Sequence, residues 1–101
     1  MYFILFYDYV DNILERRTPY REAHFNYVKA YVERGELLYG GAFTDPADGA
    51  ALVFKVASRA EVEQFARQDP YVLNGLVTDW RAREWAVVVG ANYPNVNNLE
   101  R

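Results

Sequence analysis

One histidine and no cysteine set the limits of the chemistry available to this chain. Among its 101 residues His24 is the only imidazole and Cys is absent. That composition removes thiol nucleophiles, disulfides, Cys-ligated zinc and iron–sulfur clusters together. A His-x-x-x-His metal pair cannot form within one chain. Ser58 is the only serine, which leaves little room for a Ser-His-Asp hydrolase. Gly40-Gly41 is a bare pair without the frame of a dinucleotide or phosphate loop, so neither a metal nor a cofactor is expected. What remains is acid–base work by an imidazole whose tautomer and basicity are set by a carboxylate. Asp69 is the candidate partner, 45 positions further along.

The elements that must bring the two together can be read from spacing. Residues 2–9 open with Tyr2-Phe3-Ile4-Leu5-Phe6-Tyr7, apolar in both alternating sets, which predicts a strand covered on both faces. After a polar stretch at 11–17, Thr18-Pro19 reads as a helix start with Thr as N-cap and Pro in the first turn. Tyr20, His24, Tyr27, Val28, Tyr31 and Val32 then follow helical spacing, and Gly35 sits where a glycine stop belongs. Runs at 37–44 and 50–57 read as a hairpin around the Pro and Asp-Gly turn of 45–49. Ser58-x-x-Glu61 is a capping box for a second helix with Val62, Phe65 and Ala66 on its buried stripe, ending at Asp69-Pro70. A last strand is expected over 78–89.

The order is β-α-β-β-α-β, an α+β ferredoxin-like arrangement with the first and third strands central. The first helix then starts, and the second ends, at the same end of the sheet, which places His24 beside Asp69. Each is the polar member of an otherwise apolar stripe. Two helices cover one face of a four-stranded sheet, and the other face needs a second cover. A homodimer through facing sheets is the economical answer. Residues 1–90 are expected to form this domain, and 91–101, with four asparagines, a polar tail.

Composition narrows the partners. Hydrophobic residues at 51% and aromatics at 17% exclude disorder for most of the chain. Eleven Lys+Arg against 14 Asp+Glu give a charge of −3, which argues against nucleic acid. No apolar run approaches the ~20 residues of a membrane span. The apolar N-terminus lacks the basic flank of a signal peptide. A cytoplasmic protein with a small-molecule ligand is the expectation.

Plain structural roles compete at every position. His24 could be a satisfied core histidine, and Asp69 the N-cap of a short turn through Leu73. Arg16, Arg17 and Arg21 could be a solvated cluster or an anion clamp, and the tyrosines are core material of which one could line a pocket. At these residues the chain resembles the YCII-related (YciI-like) family of the dimeric α/β-barrel group, over nearly all of 1–90. The resemblance is carried by Arg17…Arg21-Glu22-Ala23-His24, by Gly35-x-Leu37-Leu38 leading to Gly40-Gly41, and by Asp69-Pro70-Tyr71-Val72 followed by Gly75-Leu76-Val77. Gly41-Ala42 departs from the family's frequent Gly-Pro. The resemblance implies a ferredoxin-like dimer with His24 and Asp69 as the proposed active site. Read from the residues themselves, Arg17, Arg21 and Tyr71 are the candidate ligand contacts, with Arg21 or Arg17 offsetting a developing oxyanion. Most members have no assigned reaction; one branch dechlorinates hydroxyhydroquinones, and structural cousins include muconolactone isomerase and cofactor-free monooxygenases. Two functions follow. One is a cofactor-independent enzyme with a His24–Asp69 acid/base dyad, of lyase, isomerase or dechlorinase type. The other is a non-catalytic dimeric binding or accessory module.

Overall fold

The computed structural model describes residues 1–91, so the polar tail expected at 91–101 lies, beyond Ala91, outside the described residues. The elements are β1 (Tyr2–Tyr9), α1 (Ile13–Arg16), a 3-10 turn (Thr18–Tyr20), α2 (Arg21–Glu33), β2 (Leu37–Ala42), β3 (Gly49–Lys55), α3 (Arg59–Gln68), α4 (Pro70–Leu73) and β4 (Val77–Trp85). The strands form one antiparallel sheet in the order β2-β3-β1-β4, with the first and third strands central. This is the ferredoxin-like arrangement the element order predicts.

Both faces of β1 are apolar, but they do different work. Phe3, Leu5 and Tyr7 are buried against Leu52 and Phe54 of β3 and Val62, Phe65 and Ala66 of α3. Tyr2, Ile4 and Phe6 point the other way and are half-buried. Their cross-strand neighbours on that open face are Ala51, Val53 and Lys55 of β3, and Arg81, Arg83 and Trp85 of β4. Close strand packing at the top of the sheet depends on Gly49 opposite Asp8, where a Cβ would collide with the Tyr7 carbonyl oxygen.

The two long helices are held unequally. In α3, Glu61 Oε2 accepts from the Ser58 backbone N–H at 2.9 Å, the expected capping box, and Val62, Phe65 and Ala66 are fully buried. In α2 no residue is buried, and Tyr27, Val28 and Tyr31 only lean on the core. Phe65 is the hub between them, with the rings of Tyr27, Tyr31 and Phe54 at 5.0, 4.9 and 4.9 Å. The Tyr27 hydroxyl donates to the Phe65 carbonyl at 2.8 Å. Because α2 stands off from β2, an open space remains between them. Gly35 ends α2 at φ +74°, with Glu36 N–H donating to Tyr31 C=O and Gly35 N–H to Val32 C=O, the glycine stop expected there.

Three local expectations are corrected. The polar stretch 11–17 contains a helical turn, since Ile13, 3% exposed, anchors it under Tyr71 and Leu76. Thr18 does not cap the first long helix: it opens a 3-10 turn without a side-chain cap bond, and the α-helix starts at Arg21. The last strand stops at Trp85 and not at Val89, because Trp85 pairs with Tyr2, where β1 begins, and the strand has no further partner on that side.

Buried phenols give the fold an alkaline limit. Burial, then the neighbouring Tyr71 and Asp69, push Tyr9 up to about 12. Burial raises Tyr7 and Tyr27 further still. A phenol with a raised pKa favours the folded chain while it is protonated. That contribution is complete below the unfolded tyrosine value of about 10 and is lost as pH climbs toward the folded values. Stability is therefore expected to be flat with respect to these groups below pH ~10 and to fall above it. Tyrosinate absorbance should rise in two phases, exposed phenols first and the buried ones only with unfolding. A single phase in the still-folded protein would contradict this packing.

Candidate active site

A buried carboxylate organises the top of the sheet. Asp69 follows α3 and precedes α4, and its side chain is 0% exposed. Stripped of water, a carboxylate needs protein donors in place of its hydration shell, and three elements supply them. The Tyr7 hydroxyl of β1 donates to Oδ2 at 2.7 Å. The Tyr71 backbone N–H donates to Oδ1 at 3.0 Å, which caps α4. His24 Nδ1, from the first turns of α2, meets Oδ1 at 2.7 Å. One oxygen of Asp69 is therefore helix cap and imidazole contact at once, so the cap and the meeting with His24 do not exclude each other.

This network assigns the imidazole tautomer. Oδ1 is an acceptor, so Nδ1 carries the hydrogen and the lone pair of the neutral ring lies on Nε2. The Tyr7 proton is held in place, because burial and the adjacent Asp69 charge both raise its pKa. The plane of the imidazole is fixed by stacking on the Tyr71 ring, 3.8 Å between centroids and 5° from parallel, with Phe25 at 5.4 Å on its flank. The His24 side chain is 12% exposed, against none for Asp69.

His24 lines a cavity of about 360 Å³ in the gap between α2 and the edge strand β2. Four of the five residues singled out in the sequence, His24, Arg17, Arg21 and Tyr71, are on its wall, and Asp69 stands behind His24. Arg21 lies over the Phe25 ring at 4.8 Å. Burial raises the Tyr71 hydroxyl, while Arg21 and Arg17 pull it the other way and Asp69 adds to the rise. The rest of the lining is largely apolar, with Val28 and Val32 further along α2 facing Leu38 and Leu52 of the sheet beside Gly40 and Gly41. Among the described residues no three His, Cys, Asp or Glu side chains cluster as metal ligands. Tyr7 and Tyr9 also line the cavity and were not singled out from the sequence. The available signal was the position of Tyr7 as the last inward member of the Phe3/Leu5/Tyr7 set, at the strand end where the topology gathers His24 and Asp69.

The chain matches no curated protein. Among solved structures it is similar to 5-chloro-2-hydroxyhydroquinone dehydrochlorinase from Burkholderia phenoliruptrix AC1100, solved in complex with 2,5-dihydroxybenzoquinone. The TM-score is 0.72 at 22% identity, covering 84% of this chain and 93% of that one. This likeness shows the fold, the α+β arrangement of a four-stranded antiparallel sheet and helices described above. The family model of the YCII-related domain matches residues 1–86. Together with the Arg21-x-x-His24 and Asp69-Pro70-Tyr71 runs, that match over most of its length makes this chain a member of the YCII-related family.

Proposed function

We propose that this chain is a small-molecule enzyme in which His24 acts as general acid/base, oriented by Asp69, on a compact polar or aromatic substrate. The observation that carries the reading is a histidine with its Nδ1 tied to a buried carboxylate on the wall of a cavity of ligand size. Nε2 takes a proton from the substrate, and the imidazolium that forms keeps its Nδ1–H on Asp69. The Tyr7 hydroxyl and Tyr71 N–H hold that carboxylate still, so the ring need not reorganise as charge develops. Arg17, Arg21 and Tyr71 contact the ligand, and the chemistry asks for no cofactor. The likeness in fold to a dehydrochlorinase solved with 2,5-dihydroxybenzoquinone supports a hydroxylated ring as a first substrate to try. The cysteine-free composition is compatible with a cytoplasmic setting, and no described helix is long and apolar enough to cross a membrane.

The same reading includes a homodimer. On the open sheet face Tyr2, Ile4, Phe6, Val53 and Trp85 form an apolar centre with charged residues among and around them, and Trp85 is 47% exposed in the single chain. A second copy would cover this face with the same residues.

Two measurements test these statements. With one histidine, the ring resonances of His24 need no assignment. Added 2,5-dihydroxybenzoquinone is expected to shift them. Turnover of a hydroxylated or halogenated quinol, once found, should fall about 10²–10⁴-fold in His24→Asn. Undiminished turnover in that variant would sink the enzyme reading, and ligand binding without turnover across the panel would favour the binding module. For assembly, the wild type should sediment as a dimer and Phe6→Asp as a folded monomer. A monomeric wild type at concentrations where it is soluble would overturn the facing-sheet pairing.

A further inference from the structure

The cavity wall is charged in one sense only. It carries Arg17 and Arg21 and no aspartate or glutamate, in a chain whose acidic residues outnumber its basic ones, 14 to 11. Neither arginine has a carboxylate within ion-pair distance among the described residues, although Lys29, Arg34 and Arg81 all do. A guanidinium left without a carboxylate on the wall of a pocket is an anion receptor by chemistry: five fixed donors and a permanent charge.

A second observation converges on the same place. The Tyr71 hydroxyl is buried, in a residue only 3% exposed, and has no hydrogen-bond partner. An unpaired buried hydroxyl is disfavoured and rare in a folded chain. Both arginines act on it as cations, Arg21 more strongly than Arg17. An anionic oxygen drawn in by the two guanidinium groups would give this hydroxyl the acceptor it lacks. On the side toward β2 the pocket changes character: Phe25, Val32 and Leu38 are 50, 51 and 38% exposed around its mouth, an apolar rim that water covers poorly.

We propose that the ligand of this cavity is an amphiphilic anion, with a carboxylate or phenolate oxygen held by Arg17, Arg21 and the Tyr71 hydroxyl and a compact apolar body lying against α2 and β2. This rests on the cavity being the ligand site and adds the charge and polarity of what enters it. It also places the anionic group on the arginine side of His24, so the atom that exchanges a proton with Nε2 belongs to the part of the ligand next to that group.

The test compares matched probes on the whole chain, read by the His24 ring resonances and by calorimetry. Benzoate is set against its neutral counterpart benzamide, and 4-nitrophenol reports by its colour whether it binds ionised. Benzoate is expected to bind about tenfold tighter than benzamide, and that preference should vanish in Arg21→Met and shrink in Arg17→Met. A carboxylate preference with 4-nitrophenol bound neutral identifies the carboxylate source. Nitrophenol bound as its anion, with or without benzoate preference, identifies the phenolate source. Tyr71→Phe separates binding from folding: with no partner to lose, its thermal midpoint should stay level or rise while the anionic probe weakens. Equal binding of benzoate and benzamide with nitrophenol un-ionised, all three shifting the His24 signals, would overturn the anion proposal and leave the ligand site standing. Probes that shift nothing would overturn both.

Discussion

The structure turns on one desolvated carboxylate. Asp69 has no contact with water and receives a hydrogen bond from each of three separate elements: β1 through Tyr7, α2 through His24 and α4 through the Tyr71 backbone. Leaving any of those donors unpaired in the interior would cost about 1–3 kcal/mol, a large share of what holds a small domain together. The bond to Tyr7 fixes the top of the central strand to the junction between the two helices that follow β3. The bond to His24 fixes the otherwise loosely packed start of α2. Without it, α2 would rest on the core mainly through Tyr27, Val28 and Tyr31.

That arrangement explains why the cavity is where it is. The face of α3 toward the sheet is filled by Val62, Phe65 and Ala66, and nothing enters there. The first long helix is pinned at its beginning by His24 and near its middle by the Tyr27 bond to Phe65, and between it and β2 the glycine pair Gly40-Gly41 contributes no side chains to close the gap. A space bounded by a rigid sheet on one side and a helix held at two points on the other is a pre-formed pocket, and the imidazole stands on its wall already oriented. Preorganisation of this kind removes the rearrangement that a proton transfer would otherwise wait for.

Much of this was legible in the residues. The element order and the central position of the first strand followed from periodicity and from turn residues. The meeting of His24 with Asp69 followed from topology, since a polar residue on each of two apolar stripes must find a partner where the stripes converge. Tyr7 escaped notice for a physical reason: in a strand of alternating aromatics its ring is ordinary core, and only the direction of its hydroxyl makes it part of the site. The turn at Ile13 was hidden because four residues with one buried side chain carry no period. The end of the last strand depends on where β1 begins, a property of the pairing and not of residues 86–89. Asp69 was read two ways, as cap and as partner, and a carboxylate oxygen with two lone pairs accommodates both.

The double duty of Asp69 bears on how the family can be read. A descendant that lost its chemistry would still need an acceptor for the Tyr71 N–H at the start of α4, so selection for folding alone would retain aspartate before proline. The Asp-Pro pair therefore serves the helix junction whether or not a reaction is run beside it. His24 is different, because its side chain caps no backbone group. On the reading proposed above, a relative that kept the aspartate and lost the imidazole would keep the helix junction, lose the tie that holds the start of α2, and have no acid/base group on the cavity wall.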